Sequence, residues 1–459
     1  MASETSQVSR RRMLKAAGAL AAAGGASALL GGSVPGQQGG PAVLTGTQAG
    51  RRFRAYVKFG PALPTVVELK TRALTQREIL VRVEAAQTCY TSVDECLIPG
   101  TPAAQATIVG HGGVGVVEAV GPQVISTQVR DRVVVNLHAA CGRCWNCLWG
   151  QSSQCLNRGA VSTIPTCEMM DGTPVWSATG AMSELTIVQE EEAVPVFTDV
   201  SPAEMSMLTC VGGCGLGMTM MNCPIEVASD VVIFGAGPVG LAAVQGAKIK
   251  GATQIIVVEP IRYRRDLAMK LGATAVLDPN QFKRTPKPRP ANGWGRDDDH
   301  FQDTLVDRIR EMCKPKNTRL FAGGGRVGPD HVIDAAGGDK IKPKVEQGPD
   351  PTGVTSLQQG WSLLSRIGTF VTCSVGHPDT AMVQIPADQF ADSSKHHWAS
   401  TGGGTNDRRD VPRYIKLIES RQLNMKALVG KTYPLNQARE AYQVCADRTV
   451  VATVVTPNA

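Results

Sequence analysis

The stretch VVIFGAGPVGLAAVQGAKIKGATQIIVVE, Val231 to Glu259, decides how the rest of the chain is read. Val231-Val232-Ile233-Phe234 is a short unbroken apolar run, as expected of a parallel strand buried on both faces. Gly235, Gly237 and Gly240 follow at G-x-G-x-x-G spacing, with Pro238 and Val239 between the last two. The first glycine permits a tight turn, the second lets backbone approach a pyrophosphate, and the third lets a helix pack close to its strand. A phosphate would rest on that helix N-terminus, where free N–H groups and the helix dipole favour negative charge. A second strand, Gln254 to Val258, then delivers Glu259 where a carboxylate meets an adenosine ribose. Strand, turn, helix, strand and acid in this order specify a doubly wound parallel-sheet domain that binds a dinucleotide.

Beyond Glu259 the same alternation continues. Ile261 to Leu271 reads as a helix and Gly272 to Asp278 as a turn and strand, followed by a helix over Phe301 to Met312 and a strand from His331 to Ala336. A helix around Gln358 to Leu364 and a strand from Gly368 to Cys373 complete this part. Glu259 favours NAD, because a carboxylate repels a 2′-phosphate. The segment between Gln281 and His300, rich in proline and mixed charge, is expected as a solvated loop, and Ile341 to Thr352 as a second loop. Past about Pro378 the chain is expected to leave this domain. Helices at Arg413–Leu423 and Asn436–Cys445 and a strand at Thr449–Thr456 would then return to the first one.

That first domain shows short β-like runs, such as Ile79–Val83 and Val114–Val120, separated by Gly and Pro, which suggests a small barrel. Its sharpest motif is Cys141-Gly-Arg-Cys144-Trp-Asn-Cys147, with Cys155 eight residues on. Four thiolates so spaced converge on one tetrahedral ion, and soft sulfur donors with no open position suit a structural zinc. Cys89 in QTCYTSVDE and His111 in VGHGGVG lie in neighbouring loops.

These pieces, with Cys210 in LTCVGGCGLG and the turn at 235–240, resemble the zinc-dependent alcohol dehydrogenases of the medium-chain dehydrogenase/reductase superfamily, from about Arg54 to Thr456. The resemblance implies a GroES-like β-barrel catalytic domain (51–215 and 379–459) and a Rossmann domain (216–378). It also implies two zincs per chain. Cys89, His111 and Cys210 would hold the catalytic ion and leave a fourth position open. Cys214 is a competing donor, standing where threonine is usual. Thr91 matches the hydroxyl that binds substrate oxygen and starts a proton relay, and Arg264 a basic residue beside the ribose. The reaction implied is reversible hydride transfer between an alcohol and NAD. Further residues depart from the pattern: Gly112 replaces a glutamate after the ligand histidine, Ser92 stands where an aspartate is usual, and Asp94 stands where some members place a relay histidine, as a candidate proton acceptor. Small alcohols or aldehydes, and association into dimers or tetramers, are the partners implied.

The 459 residues carry a formal net charge of +7, of which the first 30 residues contribute +3. The remainder is too mild, and too poor in basic stripes, to suggest nucleic acid. Arg10-Arg11-Arg12-Met13-Leu14-Lys15 precedes an uncharged Ala/Gly-rich run to Leu30 and resembles a twin-arginine export signal, with Gly31–Gly50 as linker. Six of the 13 cysteines are assigned to zinc; the odd seven left cannot all pair internally. Export of a folded, zinc-loaded chain fits that usage. NAD is scarce outside the cytoplasm, so the expected exported enzyme carries NAD tightly bound, reoxidised in place by a second substrate or electron acceptor. Two other readings stay open: a nicotinoprotein aldehyde dismutase, and a catalytically idle zinc-stabilised binding protein.

Overall fold

The structure is a computed structural model that describes residues 49–459 except 139, 158–164, 178, 294–299, 314–327 and 392. The export-signal reading and most of the linker therefore lie outside the described residues. No helix among the described residues is long and apolar enough to cross a membrane.

The apolar run forms the strand Asp230–Phe234, buried along nearly its whole length. It pairs in parallel with Gln254–Val258 on one side and His331–Asp334 on the other. Ala275–Leu277, Thr369–Thr372 and His396–Ala399 extend the sheet to six strands, all parallel. Successive strands run outward from Asp230–Phe234 in one direction and then, starting with His331–Asp334, in the other. The strand order therefore reverses beside Phe234, and a crevice opens at the carboxyl ends there.

The other lobe is built from a five-stranded antiparallel sheet and a seven-stranded sheet that is antiparallel except where Val429–Pro434 pairs in parallel with Ala452–Thr456. Glu78–Gln87 is its central strand, and the last strand, Ala452–Thr456, pairs with it through Val454–Gln87 and Val455–Ala86. The chain thus returns to its first lobe.

Two expectations are corrected. The parallel sheet does not end at residue 378, because His396–Ala399 pairs along its edge. That edge strand is exposed throughout and so lacks the apolar run by which the other strands announce themselves. Within the 281–300 segment, Arg284–Pro286 forms an antiparallel ribbon with Phe301–Asp303. The Arg284 guanidinium lies 3.6 Å from the Phe301 ring centre and its Nε 3.2 Å from Asp303. Asp303 also caps the helix Thr304–Met312 through the N–H groups of Leu305 and Val306. Side-chain stacking and charge pairing hold a ribbon that β propensity alone does not indicate.

The two lobes share one apolar core, running from Ala85 and Met205 through Leu216 to Val231, Leu241 and Tyr414. At its centre the helix Val211–Gly217 crosses the helix Pro238–Ile249. A Cβ at Gly215 would stand 2.1 Å from the Val239 carbonyl oxygen, so only glycine allows this approach.

At the rim of the first lobe, Glu192 closes the turn Glu190–Glu192. One of its carboxyl oxygens accepts from Gln189 N–H at 2.9 Å, and the other is buried without a partner. Burial raises its pKa to about 8. The unfolded chain releases this proton near pH 4.5, so the folded state loses stability as pH rises from there to about 8. In denaturant titrations Glu192→Gln should match the parent near pH 4.5 and exceed it by roughly 2–4 kcal/mol at pH 8. Equal pH profiles for the two proteins would contradict this assignment.

Candidate active site and metal centres

Cys89 ends the extended backbone that follows strand Glu78–Gln87, just before the single turn Tyr90–Ser92. His111 sits between Gly110 and Gly112, whose positive φ angles of 91° and 70° turn the backbone sharply on either side of it. Cys210 precedes the helix Val211–Gly217. Tertiary folding brings their ligand atoms within 4.8 Å of one another, with the two sulfurs 3.9 Å apart. His111 Nε2 is buried and has no hydrogen-bond partner. Two sulfurs and one unpartnered imidazole nitrogen, with no fourth donor in the cluster among the described residues, fit a zinc ion with an open position.

The electrostatics agree. The Cys89 thiol is held well below its ordinary pKa, first by a hydrogen bond from Cys210 and also by the charge of His111, against the penalty of burial. Burial opposes charge on His111, but the Cys89 thiolate beside it carries the imidazole above its usual value. One of the two sulfurs, Cys89, thus favours the deprotonated form that a metal requires, whereas hydrogen bonds with Cys214 and Cys89 hold Cys210 well above its ordinary value.

Cys214 lies outside the three residues whose ligand atoms all fall within 4.8 Å of one another. Its N–H bonds the Cys210 carbonyl at 2.7 Å, one turn along the helix, and its thiol is held well below its ordinary pKa first by a hydrogen bond with the Cys210 thiol and then by Cys373. Gly112 is explained by its surroundings. A Cβ there would meet Thr209 Cβ and Oγ1 at 2.7 Å, so the space a glutamate would enter is already filled. The three-donor cluster is complete without that carboxylate.

Cys141, Cys144, Cys147 and Cys155 form the second cluster, also within 4.8 Å. Backbone N–H groups of Cys141 and Leu156 and the Asn157 amide point at its sulfurs, at 3.3–3.4 Å. Backbone donors, led by Cys147 N–H, lower the Cys144 thiol to about 6, whereas burial raises Cys147 to about 12. All thirteen cysteines are free thiols. Four convergent sulfurs with N–H donors around them fit a closed structural zinc site.

A cavity of about 230 Å³ joins the catalytic cluster to the dinucleotide turn. Cys89 and Thr91, beside the metal cluster, and Gly237, Pro238, Val239 and Glu259, of the nucleotide half, all line it. The three glycines of the turn have three distinct environments. Gly235 has φ 86°, Gly240 would press a Cβ to 1.9 Å from the Gly235 carbonyl, and Gly237 faces open space with only Arg264 Nη1 at 3.7 Å. Glu259 is buried, accepting from Ala236 N–H at 2.6 Å and Ile261 N–H at 2.9 Å. Arg264 lines the cavity, whereas Arg265 is spent on the carbonyls of Glu259 and Pro260 and on Asp278. Zinc and NAD are the cofactors that these two halves of the site fit.

Thr91 Oγ1 is buried and unpartnered beside Cys89, as a group awaiting a ligand would be. Asp94 is a different case. Its carboxylate pairs with Lys340 Nζ at 2.9 Å, and it does not line the cavity. The structure therefore assigns Asp94 to an ion pair, which corrects its candidacy as a proton acceptor. Sequence reading missed Lys340, whose Nζ also bonds the Thr91 carbonyl at 2.7 Å, and the nearby pairs Asp339–Arg448 and Lys344–Asp447. The partners are more than a hundred residues apart in the chain in all three of these contacts, so no local pattern marks them.

The family model described as alcohol dehydrogenase GroES-like domain matches residues 75–198, and the one described as zinc-binding dehydrogenase matches 238–420. S-(hydroxymethyl)glutathione dehydrogenase of Photobacterium damsela subsp. piscicida is 24% identical over 414 residues, 88% of this chain and 99% of that protein. Geraniol dehydrogenase of Castellaniella defragrans is 35% identical over 213 residues, 44% of this chain and 56% of that one. The crystal structure of benzyl alcohol dehydrogenase from Acinetobacter calcoaceticus superposes with a TM-score of 0.70 at 23% identity, covering 88% of this chain and 99% of that one, which shows the shared fold.

Metal analysis of the purified chain should find about two zincs per chain. Cys210→Ser and Cys147→Ser should each lose one, while Cys214→Ser keeps both. Retention of both zincs in Cys210→Ser would refute the ligand set.

Proposed function

Because the chain belongs to the zinc-dependent alcohol dehydrogenase family, we propose that it oxidises a small alcohol to its aldehyde or ketone, reversibly, with NAD as hydride acceptor. One observation carries this reading: Cys89, one of the three clustered donors, and the glycine turn line the same cavity. Bound zinc supplies a Lewis acid toward the alcohol oxygen, and bound NAD takes the hydride.

The chain's own residues do the rest. Thr91 Oγ1, without a hydrogen-bond partner among the described residues, is placed to accept a hydrogen bond from the substrate hydroxyl, and would relay that proton by giving up its own to solvent. Lys340 holds the Thr91 carbonyl and so fixes the turn that aims this hydroxyl. Val211, Val239 and Ala335 supply apolar wall to the cavity, which keeps water from competing with substrate. The buried Glu259 carboxylate supports NAD over NADP.

We also read the enzyme as exported with its cofactor held inside. The segment that includes Asp339, Gly348, Pro349, Asp350 and Gly353 lines the cavity. Its neighbours Lys340 and Lys344 reach Asp94 and Asp447, and Asp339 pairs with Arg448 at 2.6 Å. These ties across the cleft support slow cofactor exchange, and with it a reaction in which a second substrate or electron acceptor reoxidises NADH in place. The exposed edge strand His396–Ala399 supports association of at least two subunits.

Two experiments test the proposal. Denaturing the purified protein should release close to one nicotinamide nucleotide per chain; its absence, with full activity on added NAD, would remove the retained-cofactor reading and leave the dehydrogenase. Gly215→Ala should lower kcat for alcohol oxidation by about 100-fold while both zincs remain, since the displaced helix shifts metal against nicotinamide. Unchanged kcat would show that the helix crossing does not set the reacting distance.

A further inference from the structure

The zinc lobe carries an apolar face that the proposed reaction does not use. Trp145, Leu148 and Trp149 fall at i, i+3 and i+4 on the turn that begins at Trp145, and are 69%, 74% and 72% exposed. The two indoles stack at 5.6 Å between ring centres. Leu156, 67% exposed, belongs to the same lobe, where its N–H bonds the sulfur of Cys144, the residue before Trp145. Large apolar side chains grouped on a surface in this way mark a contact site rather than chance exposure. The cluster of four cysteines fixes the lobe's backbone without a hydrophobic core of its own. No residue from Trp145 to Cys155 is charged.

Charge decides what this face meets. Between Asp131 and Glu168 the sequence contains no acidic residue, while Arg143 and Arg158 flank the tryptophan turn. Arg143 is exposed, and Arg158 lies outside the described residues. Two tryptophans and two leucines fall short of the roughly 800 Å² that each partner contributes to a standard protein interface. They match a lipid headgroup region, where indole rings settle with one end apolar and one end wet, and where arginine meets anionic phosphate.

We propose that this lobe docks the enzyme peripherally on an anionic lipid bilayer, with Trp145 and Trp149 at headgroup depth and Arg143 against phosphate. The proposal does not depend on the alcohol or on the retained cofactor. Contact is interfacial and reversible, with binding strength set by a few apolar side chains and by surface charge. It therefore weakens as salt screens the surface.

The test uses the full chain with vesicles of phosphatidylglycerol and phosphatidylcholine, and with vesicles of phosphatidylcholine alone. Co-sedimentation should be strong on the anionic vesicles and weaken with salt, and tryptophan fluorescence should be quenched by brominated lipid. Trp145→Ser/Trp149→Ser should lower vesicle partition by about tenfold or more while keeping two zincs and alcohol oxidation. Leu148→Asp serves as a second probe that leaves both indoles in place, and should also lower partition. Three results would overturn the proposal: no binding by the parent chain; equal binding by the double variant, which would assign attachment to residues 1–48; or loss of self-association in place of vesicle binding, which would make the face a contact between copies.

Discussion

The approach of Gly215 to the Val239 carbonyl is the constraint on which the rest of the site depends. The helix on one side of this contact begins just after Cys210 of the three-donor cluster. The helix on the other side begins at Pro238, in the glycine turn. Their separation therefore sets the distance between the metal and the nicotinamide end of the cavity. A side chain at position 215 would push the two functional ends apart without touching either. Hydride transfer depends steeply on such placement, because reacting atoms must sit near van der Waals contact before the barrier is crossed.

Around that contact the chain divides its sulfur chemistry. Three donors converge at the catalytic cluster and leave a place for substrate, whereas four converge in the lobe and leave none. Similar residue types give opposite outcomes because of the donor count and the backbone that presents them. In the lobe the donors arrive within fifteen residues, so local loop geometry suffices. In the catalytic cluster they arrive from three segments spread over more than a hundred residues, and the shared core must hold them together. Gly112 illustrates how tightly that core is filled, since Thr209 occupies the volume beside it. Loss of the usual carboxylate there is a packing solution that leaves the donor geometry whole.

The segments misread from sequence share a physical reason. His396–Ala399 joins the parallel sheet by backbone hydrogen bonds on its open edge, and edge strands need no apolar pattern. The ribbon of Arg284–Pro286 with Phe301–Asp303 rests on a guanidinium stacked over a ring and on an acid that also caps a helix. Asp94 looked like a proton acceptor because of its distance from Cys89 in the chain, yet Lys340, distant in sequence, claims it. Each of these depends on a partner that the local sequence cannot display.

The sequence by itself determined the glycine turn and the four-cysteine lobe, because each rests on residue chemistry and short spacing that any fold must respect, and its resemblance to a known family singled out Cys89 and His111 with Cys210 or Cys214. It also determined that glycine, and no larger residue, stands at 215. Only the tertiary structure decided that Cys210 and not Cys214 meets His111, that Asp94 pairs with Lys340, and that a segment of the nucleotide lobe is tied across the cleft. Those outcomes turn on helical phase and on side chains from distant segments meeting in three dimensions, and neither is written in local composition.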